Sequence, residues 1–95
     1  MKVSAKETAY LDAIGAVRRE HASWYATSGW VVLHVQKVRS GWWHATSDTI
    51  DPDMLGWGRS PDVAISRLMK WVNIRASACT EASKRIGSLL ERAKF

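Results

Sequence analysis

Trp30-Val31-Val32-Leu33-His34-Val35-Gln36-Lys37-Val38 decides the fold. β-Branched and aromatic side chains dominate it, and these suit a pleated surface better than a helix, so the run predicts a strand. Ser40-Gly41 then supplies a turn where a positive φ is tolerated, and Trp42-Trp43-His44-Ala45-Thr46-Ser47 resumes the β-like composition. With Arg39 opposite Trp42, the hairpin pairs Val38 with Trp43, Gln36 with Ala45 and His34 with Ser47. Side chains alternate along a strand, so one face carries Trp30, Val32, His34, Val38, Trp43 and Ala45. The other carries Val31, Leu33, Val35, Lys37, Arg39, Trp42, His44 and Thr46. Neither face is plainly polar, and a slip of one residue exchanges them.

Downstream, Asp48 to Asp53 reads as a loop around Pro52, and Met54 to Trp57 as a short third strand. Ser60-Pro61-Asp62 opens a helix, with serine as N-cap, proline at the first helical position and an acid favoured by the helix dipole. Ile65, Leu68, Met69, Val72, Ala76 and Cys79 follow at helical spacing, with Arg67, Lys70 and Arg75 mainly off that stripe. The stripe is expected to cover the Trp30, Val32 and Trp43 face of the sheet, leaving Lys37, Arg39, Trp42 and His44 on the open one.

Upstream, Ser4-Ala5-Lys6-Glu7 has the form of a capping box, and Tyr10, Ile14, Val17 and His21 recur behind it at helical spacing. This predicts a first helix over 5–22, weakened at Gly15 by about 1 kcal/mol relative to alanine. At the other end, Ala82, Ile86, Leu89, Leu90 and Ala93 continue the apolar pattern. An uninterrupted helix over 61–94 would be about 50 Å long, too long for so small a domain to cover, so a break is expected near 73–80. Thr80-Glu81-Ala82 then caps a separate last helix. Leu89, Leu90 and Phe95 are candidate partner contacts, or packing against the first helix. The expected architecture is a single α+β domain over 1–95. A three-stranded antiparallel sheet over 29–59 packs against an N-terminal helix and one or two C-terminal helices, in the order α-β-β-β-α.

Two families share parts of this pattern. Gly41-Trp42-Trp43-His44-Ala45-Thr46-Ser47-Asp48, followed by Gly56-Trp57-Gly58-Arg59-Ser60-Pro61-Asp62-Val63-Ala64-Ile65, resembles the sheet-plus-helix domain of HicB-like antitoxins. The resemblance implies a small inhibitor that acts by binding a protein, of the sort phages and mobile elements encode. With the first helix added, the element order is also similar to a double-stranded-RNA-binding domain, whose last helix begins Gly-x-Gly-x-Ser. In that family two lysines after the serine clamp phosphates. Pro61 and Asp62 stand there in this chain and cannot supply those contacts.

Ninety-five residues suffice for one modest core, and six tryptophans are many for that length. Trp30, Trp43 and Trp71 are expected to fill the core, with Trp42 and Trp57 at the surface. Lysine and arginine number 14 against 9 acids, and seven of the basic side chains lie in 61–95 with only three acidic ones. That imbalance favours an anionic partner, either nucleic acid or an acidic protein face. A single cysteine, Cys79, forms no internal disulfide and fits a reducing cytoplasmic setting. No stretch approaches the length of a membrane span.

Catalytic and metal-binding patterns are absent from the sequence. His21, His34, His44 and Cys79 lack the short spacings of a zinc site, and Asp48, Asp51 and Asp53 lack the glycine and distal glutamate of an EF-hand loop. Gly56-Trp57-Gly58 lacks the Lys-Ser/Thr ending of a phosphate loop. His34 and Ser47 are cross-strand neighbours in the expected register, but no carboxylate is placed to orient the imidazole. The sequence thus points to a non-catalytic binder without a cofactor, aimed at a protein such as part of a nucleic-acid-handling complex. Its candidate contact residues are Lys37, Arg39, Trp42, His44 and Trp57. Direct nucleic-acid binding through Arg67, Lys70, Arg75, Lys84 and Arg85 is the alternative, and a homodimer is compatible with either.

Overall fold

The computed structural model describes residues 2–20, 22–75 and 80–93. Helix α1 (Ala5–Ala13) begins at the capping box: the Glu7 N–H donates to Ser4 Oγ at 3.1 Å, and the Ser4 N–H donates to Glu7 Oε1 at 2.9 Å. It stops well short of residue 22. Gly15 takes φ +77, its N–H donates to the Asp12 carbonyl, and the Ala16 N–H donates to that of Leu11. This is a Schellman ending, in which a left-handed glycine satisfies the last carbonyls of a helix. Gly15 is therefore the stop signal and not a weak point within a longer helix.

The chain that follows forms two strands absent from the expected architecture, β1 (Val17–Glu20) and β2 (Ser23–Ser28). β3 (Val31–Lys37), β4 (Trp43–Ser47) and β5 (Asp51–Gly58) complete a five-stranded antiparallel meander in sequence order, in place of three strands. Gly29, at φ +60, opens the two-residue turn between β2 and β3. Trp30 is the second residue of that turn and stands 47% exposed, so it is not core. The third expected strand begins earlier than Met54, at Asp51, so the acidic loop contracts to a short turn.

The β3–β4 register is one residue away from expectation. Lys37 pairs with Trp43, Gln36 with His44, Val35 with Ala45 and His34 with Thr46. The cause is the loop. Arg39–Gly41 forms a single 3₁₀ turn closed by Gly41 at φ +77, and the Val38 N–H donates to the Trp42 carbonyl at 2.8 Å. A three-residue connection of this kind replaces the two-residue turn, and the added residue shifts the pairing by one. On β3 it is therefore Val31, Leu33 and Val35 that face the core, while Trp43 and Ala45 face it from β4 as expected.

Helix α2 (Pro61–Arg75) lies across β5, β4 and β3, and helix α3 (Thr80–Arg92) packs on α2 and β2. The Ser60 carbonyl accepts the first helical hydrogen bond of α2, from Ala64, so Ser60 is the N-cap and Pro61 the first helical residue. Two helices thus replace one rod, and the longest dimension of the molecule is 37 Å. All three helices cover one face of the sheet. Leu11 and Ile14 from α1, Ile65, Leu68 and Val72 from α2, and Ile86 and Leu89 from α3 bury against Trp24, Leu33, Val35 and Trp43. Leu89 is core, Leu90 packs against that core from its margin, and Phe95 and Cys79 lie outside the described residues. α2 sits so close to β5 that a Cβ on Gly56 would lie 2.1 Å from the Ala64 carbonyl oxygen, and one on Gly58 2.7 Å from the Ala64 nitrogen. Among the described residues no helix is long and apolar enough to cross a membrane.

Candidate functional site

With all three described helices on one side, no helix among the described residues covers the other face of the sheet. Alternation aims Tyr25 and Thr27 of β2, Val32, His34 and Gln36 of β3, His44 and Thr46 of β4, and Trp57 of β5 toward it. Three of the expected contact residues meet here. The Trp57 ring lies 3.8 Å from that of His44 at 64°, and 6.3 Å from that of Trp42 at 76°. The Arg59 guanidinium lies over Trp42 at 4.2 Å. His44 is half-buried, its Nε2 has no hydrogen-bond partner among the described residues, and burial lowers its pKa, favouring the neutral ring.

Arg39 is exposed in the β3–β4 loop, and Lys37 is elsewhere. Its side chain turns to the helical face, where Nζ donates to Glu7 Oε1 at 2.8 Å and to the Lys2 carbonyl at 2.9 Å. Glu7 also accepts from Trp43 Nε1 at 2.6 Å. Burial pushes the Glu7 carboxyl upward, but these hydrogen bonds and those from Ser4 outweigh it and hold the pKa down at about 2. Lys37 is thus committed to tying α1 to the sheet.

The register places Ser23 beside His34, with Ser23 Oγ and His34 Nε2 2.6 Å apart. Ser47 faces the core side instead, and its hydroxyl donates to the Val32 carbonyl at 2.8 Å. Ser23 and His34 line a shallow hollow of about 660 Å³ with Arg19, Glu20, Tyr25 and Gln36. Tyr25 stacks on His34, with centroids 4.8 Å apart and planes at 17°, and the Arg19 guanidinium lies 5.9 Å from the Tyr25 ring. Tyr25 and Arg19 went unread in the sequence because 17–28 was assigned to a helix and its exit. The strict alternation of Ser23-Trp24-Tyr25-Ala26-Thr27-Ser28, once Gly15 is taken as a stop, would have found them.

The basic residues of the C-terminal helices do not converge. Arg67 and Lys70 are exposed along α2 beside β5, where Arg67 Nη1 donates to the Trp57 carbonyl at 3.0 Å. Arg85 reaches Glu81 at 2.9 Å and lies against Gly29, at the β2–β3 turn, and Lys84 is exposed on α3. The Arg75 side chain lies outside the described part. Beside Arg67 and Lys70, the surface carries Leu55, Trp57, Trp71 and Ile74 around a second hollow. Trp71 was expected in the core, yet it is 49% exposed and Ile74 is 74% exposed. Comparison with protein-family models, curated proteins and solved structures gives no match to this chain.

Proposed function

We propose that the chain is a non-catalytic protein-binding domain that acts as an inhibitor by occupying a surface on its target. One observation carries the reading: Trp57, Trp71 and Ile74 are 45%, 49% and 74% exposed side by side along β5 and α2. Tryptophans on a contiguous apolar surface, rimmed here by Arg67 and Lys70, are what binding hot spots are built from, and the rim favours an acidic margin on the partner. β5 is an edge strand, so backbone groups without a second ladder partner adjoin the same patch, where Arg67 caps the Trp57 carbonyl. The resemblance of 41–48 and 56–65 to HicB-like antitoxins supports an inhibitory role, and the lone Cys79 a cytoplasmic setting.

The Ser23–His34 pair supports the non-catalytic part of the reading. Both residues sit within strands paired on each side, where backbone N–H groups serve the ladder and are not free to stabilise an oxyanion. The test compares proteins retained from a host extract by the wild type and by a Trp71→Ser/Ile74→Ser variant. A discrete set held by the first and lost by the second is expected. Retention of the same set by the variant contradicts the reading. So does sedimentation of the pure wild-type chain as a dimer that the variant dissolves, which would assign the patch to a second copy.

A further inference from the structure

The helix-free face presents two aromatic stations, each with an arginine beside it. One is Tyr25 on β2, stacked on His34 and flanked by Arg19. The other is Trp57 on β5, packed against His44 next to the Trp42–Arg59 pair. We propose that this face binds single-stranded nucleic acid, with bases laid on Tyr25 and Trp57 and phosphates held by Arg19 and Arg59.

Stacking suits this surface because every base has a π-face, so an open ring accepts one without regard to sequence. Trp57 is 45% exposed and Tyr25 36%, and both lie within hydrogen-bonded strands. β2 and β5 are three strand spacings apart, about 14 Å, which leaves room for at least one nucleotide between the stations. A duplex keeps its bases inside its own stack and cannot offer them to a flat face, so the form that fits is the single strand.

Charge sets the path. Arg39 and Arg59 stand at the end of the sheet that holds Trp42, whereas Asp48, Asp51 and Asp53 stand at the opposite end of β4 and β5. A polyanion is therefore steered across the strands near the arginine end and kept from the aspartate end. Glu20 lies at the Tyr25 station beside Arg19, and the chain as a whole carries a net +5. The side chains between the stations are His34, Gln36, His44 and Thr46, which are polar. Val17, exposed opposite Tyr25, adds apolar surface at the first station, and Trp71 and Ile74 stand exposed on the α2 flank.

Fluorescence anisotropy with end-labelled ten-nucleotide oligo(dT) and oligo(U), and with a duplex of equal length, tests this at low and moderate salt. The protein variants are Tyr25→Ala, Trp57→Ala, Trp57→Phe and Trp71→Ala, each checked for folding by circular dichroism. Single strands should bind with an affinity that falls with salt, at least tenfold better than duplex. Tyr25→Ala and Trp57→Ala should each weaken binding by about tenfold, while Trp57→Phe and Trp71→Ala stay within about twofold. The proposal is overturned if the folded wild type binds no single strand at low salt, or binds duplex equally well. It is also overturned if the two ring deletions change nothing, or if Trp71→Ala costs as much as Trp57→Ala.

Discussion

Glu7 shows how much can rest on one carboxylate. It closes the capping box, accepts from Lys37 and from the buried Trp43 indole, and so joins the start of α1 to β3 and β4. Glu7→Gln keeps the size but replaces charged hydrogen bonds with neutral ones and points an amide at Lys37. The expected cost is about 2 kcal/mol in a denaturant titration at neutral pH. Folding lowers this pKa, so the unfolded chain binds the proton more tightly. The stabilisation is complete above about pH 4.5 and drains away as the pH falls toward about 2. Denaturant midpoints of the wild type should decline through that window, and those of Glu7→Gln should decline less. Parallel curves would remove Glu7 from this role. The capping box was legible in Ser4-Ala5-Lys6-Glu7, because it is a local exchange between a cap and its first turn. The reach of Glu7 to residues some thirty positions away was not, because it depends on how α1 docks.

Elements were misjudged where a glycine or a loop length had two readings. Tyr10, Ile14, Val17 and His21 keep a helical spacing across Gly15, so periodicity ran straight past a residue whose left-handed φ ends the helix. The Ser40-Gly41 turn was legible, but two and three residues are equally good hairpin loops, and only the longer one gives the observed register. The sequence placed Gly56 and Gly58 in a strand end and in the family-like run, and ruled out a phosphate loop, but did not show their role of letting the α2 backbone lie directly on β5. Gly56→Ala should destabilise by about 3 kcal/mol or prevent folding, since the clash is with backbone that cannot rotate away. Gly41→Ala meets no atom within 4 Å and loses only the ease of a positive φ, so it should cost about 1 kcal/mol. Thermal melts of the two variants check the contrast, and equal losses would contradict the placement of α2. Arg92 spans elements in a different way, donating to the Ile14 and Thr27 carbonyls at 3.1 and 3.3 Å. Arg92→Ala should lower stability by about 1 kcal/mol.

For the molecule as a whole, the α+β class followed from the strand-like middle and the Ser60-Pro61-Asp62 helix start, but the division of the tryptophans followed only in part: Trp43 lies inside and Trp57 outside as expected, whereas Trp30 and Trp71 are exposed. Size and apolarity argue for burial of Trp30 and Trp71 along with Trp43, yet the three described helices lie on one face of a five-stranded sheet and leave those two indoles outside. Trp24 and Trp43 fill the core, while Trp30, Trp57 and Trp71 face outward. Both proposed surfaces depend on that partition. Hydroxyl-radical footprinting of the free chain, read by mass spectrometry at each tryptophan, measures it directly. Fast oxidation of Trp57, Trp71 and Trp30, with Trp24 and Trp43 at least tenfold slower, is the predicted result; oxidation of Trp43 as fast as Trp57, or protection of both Trp57 and Trp71, would contradict it.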